Sequence, residues 1–195
     1  MLLALLTGCV GLPATRNSAG FAVSGSSLED PAPTFEGEVS VRPLGAFETF
    51  GDRPADAGVG VFVSYASRDD GFEGDLESAW LIGPSASAEG YPVTFGDGSR
   101  VVAGGSIRTL YASTLDAWGP FAGPHVGVEI TEYTEGCDTS TDSGIWLMCG
   151  AGETGVGAYA NGQIGVIEGD IHYSAGVSVS LRVPAGFVGG IPFPW

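Results

Sequence analysis

Two groups of side chains in this chain have the types and spacing for proton transfer or metal binding. One is His125 with Glu129; the other is Glu168, Asp170 and His172. In an extended strand, residues two or four apart point to the same face, so each group converges if its segment is a strand. Imidazole beside carboxylate is the raw material of general acid–base catalysis or of a metal site. The same residues also make a buried network of salt bridges and hydrogen bonds. No nucleophile elbow, P-loop, HExxH run or dinucleotide fingerprint accompanies them. The network reading is therefore preferred, with no cofactor, no metal and no enzymatic activity expected. Asp138, Ser140 and Asp142 are spaced like the opening of a calcium loop, but Gly144 falls one place late and no bidentate Glu follows. A polar surface loop is the better reading. Trp80, Trp118 and Trp146 could stack a ligand, although core or interfacial packing is the default for each.

The elements that must position these residues are strands. Helix formers are scarce, 33 residues are Gly, and 44% are hydrophobic with many Val, Ile and aromatic side chains. The net charge of −16 opposes nucleic-acid binding, because such a chain repels phosphate. No run of about 20 apolar residues exists to form a membrane helix. Period-two alternation instead predicts strands at about 36–47, 57–67, 73–83, 101–112, 121–133, 153–160, 163–173 and 176–183. Asn161-Gly162 reads as a hairpin turn between the sixth and seventh, since both residues tolerate positive φ. The connections near 48–56, 84–100 and 134–152 are long, and those near 68–72, 113–119 and 161–162 are shorter. In an outer-membrane barrel, long loops face outside and short turns face the periplasm.

The polar faces of these strands carry Glu38, Arg42, Arg108, His125, Glu129, Glu168, Asp170, His172 and Arg182, mixed in sign and interspersed with Gly58, Gly60, Gly104, Gly127, Gly155 and Gly157. A narrow eight-stranded lumen needs small residues and mutually neutralising charges, whereas a solvent-facing strand gains nothing from glycine. The apolar faces end in Tyr65, Tyr111 and Tyr173, as interfacial girdles do. The alternation alone does not give its direction. A soluble barrel has its apolar side inside, a membrane barrel outside.

Near the start, Leu6-Thr7-Gly8-Cys9 resembles a bacterial lipoprotein lipobox, which implies a diacylated Cys9 and cleavage before it. Residues 1–8 are then a signal-peptide remnant. Val10 after the cysteine leans towards the outer membrane in that pattern, and two acyl chains suffice for a stable anchor. Residues 9–34, rich in Ser, Gly, Pro and Ala, read as a flexible lipidated tether. An exported chain meets an oxidising compartment, so Cys137 and Cys149 are expected to pair across their polar segment.

The run Trp118-Gly119-Pro120-Phe121-Ala122-Gly123-Pro124-His125-Val126-Gly127-Val128-Glu129, and the closing Gly176-Val177-Ser178-Val179-Ser180-Leu181-Arg182-Val183, resemble strands of small outer-membrane β-barrel proteins of the OmpA-like type. The resemblance spans roughly residues 36–187 and implies an eight-stranded antiparallel up-and-down β-barrel over 35–187, followed by a tail at 188–195. The expected partners are outer-membrane lipid and an external ligand or surface protein reached through loops 84–100 and 134–152. The expected function is a non-enzymatic envelope protein, structural or adhesive. Two alternatives stand beside it. One is a periplasmic lipoprotein whose lipocalin-like barrel holds a small apolar ligand, with the Val59–Val61–Val63 face lining the cavity. The other is an enzyme built on the same barrel.

Overall fold

The computed structural model describes residues 13–27, 31–43, 54–67, 78–96, 98–134 and 152–184. Eight strands follow one another: β1 (Ala14–Ser26), β2 (Ala32–Arg42), β3 (Ala55–Ser67), β4 (Ser78–Phe95), β5 (Ser99–Ala112), β6 (Ala117–Thr134), β7 (Gly152–Ile167) and β8 (Asp170–Pro184). Each pairs antiparallel with its neighbour in sequence, and β1 closes on β8 from Ala14↔Pro184 to Ser26↔His172. The result is a closed up-and-down barrel, as the alternation predicted. Closure satisfies the backbone groups of both edge strands, which an open sheet would leave unpaired. Strand lengths of 11 to 18 residues meet or exceed the roughly 9–11 a tilted strand needs to cross a bilayer.

The eight strands are not the eight read from the sequence. Residues 14–26 are not a tether: they form β1, paired along their length with β2 and β8. The barrel therefore begins at Ala14 rather than near residue 35. The three strands expected over 153–183 are two. Asn161-Gly162 lies inside β7, and the turn falls at Glu168-Gly169, where φ is 52° and 94°. Two positive φ values in a two-residue connection match the right-handed strand twist. A turn at 161–162 would have left strands too short for the barrel wall. Residues 84–100 are not a display loop. Pro84–Phe95 completes β4 and Ser99 opens β5, with only 96–98 between them. Cys9, Cys137, Cys149, the remnant at 1–8, the tail at 188–195 and nearly all of loop 134–152 lie outside the described residues.

The register sets which way every side chain points. Val59, Val61, Val126, Val128, Ile130, Val177 and Val179 face outward, each more than half exposed, while Arg42, Arg182, Glu129 and Asp56 face inward and are buried. This is the inverse of a soluble barrel. The Val59–Val61–Val63 face therefore does not line a cavity. Outward aromatics gather at the rim formed by Ser26, Ala32, Ala112, Ala117, Ile167 and Asp170, called here the second rim. Tyr65 stacks on Trp80 at 4.6 Å, Tyr111 on Trp118 at 5.5 Å, and Tyr173 stands on β8 beside them. The first rim carries Ala14, Arg42, Ala55, Phe95, Ser99 and Pro184. Between the rims the outer wall is uneven. Ala86, Ala122, Pro84 and Pro120 leave a shallow depression of about 690 Å³ beside Ile107 and Ile164.

The inward glycines let the strands close on so few neighbours. At Gly123 a side-chain methyl would collide with the carbonyl oxygen of Gly162 on β7. Gly123→Val should cost roughly 1–3 kcal/mol through overpacking. The expected readout is a lower urea midpoint of the detergent-folded barrel; an unchanged midpoint would show that β6 and β7 have slack at this point.

Candidate functional site in the barrel lumen

The lumen has three layers along the barrel axis. Near the first rim lies a dense charge network. Arg182, fully buried on β8, is its hub. Its Nε donates to Glu129 Oε1 at 3.1 Å, its Nη1 to Asp56 Oδ2 at 2.8 Å and Glu153 Oε2 at 3.0 Å, and its Nη2 to Glu89 Oε1 at 3.1 Å. Arg42 reaches Glu89 at 2.7 Å and Asp56 at 3.4 Å, and Arg16 reaches Glu89 at 2.6 Å. Arg100 bridges Glu129 at 2.7 Å and Glu153 at 2.8 Å while stacking over the Tyr91 ring at 3.9 Å. His125 Nε2 lies 3.3 Å from Glu89 Oε2. One carboxylate, Glu89, thus meets three guanidiniums and an imidazole.

The middle layer is smaller. Arg108 donates to Glu38 at 2.8 Å and to Gln163 Oε1 at 2.6 Å, and its guanidinium lies 4.0 Å from the Phe62 ring centre. Gln163 passes the polarity on, its Nε2 donating to Glu36 Oε1 at 3.2 Å. Asn161 and Ser174 also donate to Glu36, at 3.0 and 2.8 Å. Toward the second rim the lumen divides. One side is filled by an apolar cluster of Phe62, Leu110, Ala112, Phe121 and Ile167. The other is a cavity of about 100 Å³ bordered by Glu36, His172, Ala66 and Trp80.

Of the residues singled out from the sequence, Glu38, Arg42, Arg108, His125, Glu129 and Arg182 all join these networks. His125 and Glu129 share the inward face but serve different partners, Glu89 for the first and Arg100 with Arg182 for the second. The Glu168–Asp170–His172 group does not exist as a cluster. Glu168 is an exposed turn residue with positive φ, and Asp170 stands at the rim with no ion-pair partner among the described residues. His172 faces inward beside Phe121, ring centres 6.4 Å apart. Among the described residues no three His, Cys, Asp or Glu side chains converge as a metal site.

Sequence reasoning missed Arg16, Asp56, Glu89, Tyr91, Arg100 and Glu153. Each sat in a segment read as tether, loop or strand end. A usable signal was the charge inventory: five of the chain's seven Lys and Arg residues line this lumen, so any Arg was a candidate for it.

The arrangement closes the lumen rather than opening a pore. Its chemistry is charge neutralisation among buried side chains. Such networks add little net stability over apolar packing, but removing one partner strands the others. Arg182→Met would leave Asp56, Glu89, Glu129 and Glu153 short of a cation. A loss of about 3–5 kcal/mol is expected in urea unfolding of the folded barrel. Arg182→Lys should recover only part of it, because an ammonium cannot reproduce the guanidinium's fork of donors. A full rescue by Lys would show that charge alone matters here.

No protein-family model matches the chain, and no curated protein matches it. Solved structures do. Neisserial surface protein A (NspA) aligns over 88% of this chain and 96% of its own, with a TM-score of 0.50 and 14% identity. Ail, the attachment invasion locus protein of Yersinia pestis, aligns over 88% of this chain and 99% of its own, with a TM-score of 0.39 and 10% identity. A second structure of Ail, in complex with the heparin analogue sucrose octasulfate, gives a TM-score of 0.37. At these identities the NspA likeness establishes the barrel fold.

Proposed function

We propose that this protein is a non-enzymatic β-barrel of a bacterial outer membrane that acts as a structural or surface-interaction protein of the envelope. The observation that carries this is the direction of the alternation: a belt of exposed Val, Ile and Phe around a charged interior. Left in water, that belt far exceeds the apolar patch a soluble monomer exposes. In lipid it is matched, and the aromatic pairs at the second rim sit where interfacial girdles do. The narrow lumen argues against a general porin. Interaction then falls to the rims and their connections. The longest, 135–151, joins β6 to β7 at the first rim, which also carries 43–54. The two cysteines of that longer connection, Cys137 and Cys149, pair in this reading and brace it.

Anchoring is the finer part of the reading. Cys9 precedes β1 by only five residues, so acylation there would hold the first rim, not a distant tether, to the bilayer surface. Metabolic labelling with a palmitate analogue is expected to mark the wild type and not Cys9→Ser, with the barrel still assembling. Unlabelled wild type would remove the lipid anchor and leave the barrel.

Insertion has a direct test. Val61 faces outward at mid-strand on β3, and an arginine at the bilayer midplane of a barrel costs about 2–4 kcal/mol. Wild-type protein in isolated envelopes should resist carbonate and urea extraction and migrate differently with and without boiling. Val61→Arg should lower the inserted fraction. Wild type that is released by carbonate with no mobility shift would sink the membrane reading.

A further inference from the structure

We propose that the cavity inside the second rim is a binding site for a small organic cation, an ammonium or guanidinium group on a short apolar body. Three observations converge on it. The first is a charge imbalance. Among the described residues, six carboxylates, Glu36, Glu38, Asp56, Glu89, Glu129 and Glu153, are buried in the lumen and face five guanidiniums, Arg16, Arg42, Arg100, Arg108 and Arg182. Every carboxylate but Glu36 has an arginine within salt-bridge distance. Glu36 is 5% exposed and is held only by neutral donors, the Asn161 and Gln163 amides and the Ser174 hydroxyl. A buried carboxylate without a countercharge is costly, and a bound cation removes that cost.

The second observation is an open acceptor position. An ionised carboxylate offers about four lone-pair sites. Glu36 Oε1 accepts from Gln163 and Ser174, and Oε2 accepts only from Asn161, which leaves one site on Oε2. On the same cavity, His172 Nε2 is buried with no hydrogen-bond partner. With the ring proton on Nδ1, that nitrogen offers a second acceptor to a donor in the cavity.

The third is the space. The cavity bordered by Glu36 and His172 measures about 100 Å³, well above the roughly 10–15 Å³ that a single water requires. Its inward wall is largely apolar, with Ala66, Ala79, Leu81 and Phe121, and Trp80 and Tyr173 stand at its mouth on the second rim. Carboxylate floor, imidazole side and apolar wall together fit a short alkylammonium better than a bare metal ion. The site lies within the closed barrel and does not depend on insertion, so detergent-folded protein is sufficient to test it.

The full-length chain is folded in detergent and titrated with n-butylammonium, n-butanol and n-butyrate, and the heat of binding is followed by calorimetry. Butylammonium is expected to give a saturable change, butanol one at least tenfold weaker, and butyrate none. Glu36→Gln should weaken butylammonium at least tenfold, to the level of butanol, with the heat-dependent mobility shift retained. Ala66→Leu, which fills the cavity and leaves Glu36 in place, should abolish both responses. If Glu36→Gln does not fold, the butylammonium-to-butanol ratio and Ala66→Leu carry the test alone. Equal binding of butanol and butylammonium, full binding by Glu36→Gln, or no saturable response in the folded wild type would each overturn the proposal.

Discussion

Everything in this barrel depends on neutralising charge inside a narrow eight-stranded tube whose polar side chains are buried. The chain carries seven Lys and Arg residues against 23 Asp and Glu, and it commits five of the seven to the lumen. Arg182 and Arg42, both fully buried, hold carboxylates from β3 and β4, and Arg182 also holds those of β6 and β7. The small inward residues of the neighbouring strands leave room for these long side chains. The apolar outer belt is the other half of the same arrangement. Once polar groups are satisfied inside, the wall has only to match its surroundings.

The lumen is graded rather than uniform. Charge is densest at the first rim, thins through Arg108 and Glu38, and gives way to Phe62, Leu110, Phe121 and Ile167 at the second. Arg108 spans the change, pairing with Glu38 on one side and stacking on Phe62 on the other. Glu36 lies where this gradient leaves a carboxylate with amides and a hydroxyl instead of an arginine. A lumen that neutralises five of the six buried carboxylates among the described residues and leaves the sixth open to a cavity invites an external countercharge.

Much of this was legible in the sequence, and the failures have physical causes. The Val59, Val126 and Val177 strands read clearly because their outward residues are large and their inward ones polar. The second half of β4 did not, because its outward residues are Pro84, Ala86, Ala88 and Gly90, too small to register as an apolar face. A wall of small residues carries no hydrophobic signal even when lipid-facing. β1 failed similarly: its Ser and Gly residues resembled a linker, and only Phe21 and Val23 marked an outward face. Asn161-Gly162 has the composition of a turn, but tertiary pairing overrides it, and Asn161 becomes a donor to Glu36. The Glu168–Asp170–His172 spacing assumed one unbroken strand, which the turn at Gly169 interrupts. The direction of the alternation was not legible at all, because a period of two is the same whichever side faces the core.

The lumen network also bears on how the molecule is made. Arg16 meets Glu89 from 73 residues away, and Arg182 meets Asp56 from 126. Most of these ion pairs reach beyond one hairpin: β1 and β2 bring Arg16 and Arg42, but the carboxylate they share waits on β4, and Arg182 arrives only with β8. Contacts this distant in sequence make for slow folding, because loop entropy is lost before the pairing compensates it. Any partly assembled sheet would present unmatched arginines or carboxylates on the face that later becomes the lumen. Assembly is thus drawn toward a single concerted closing step, with the last strand acting as the seal that discharges all the others.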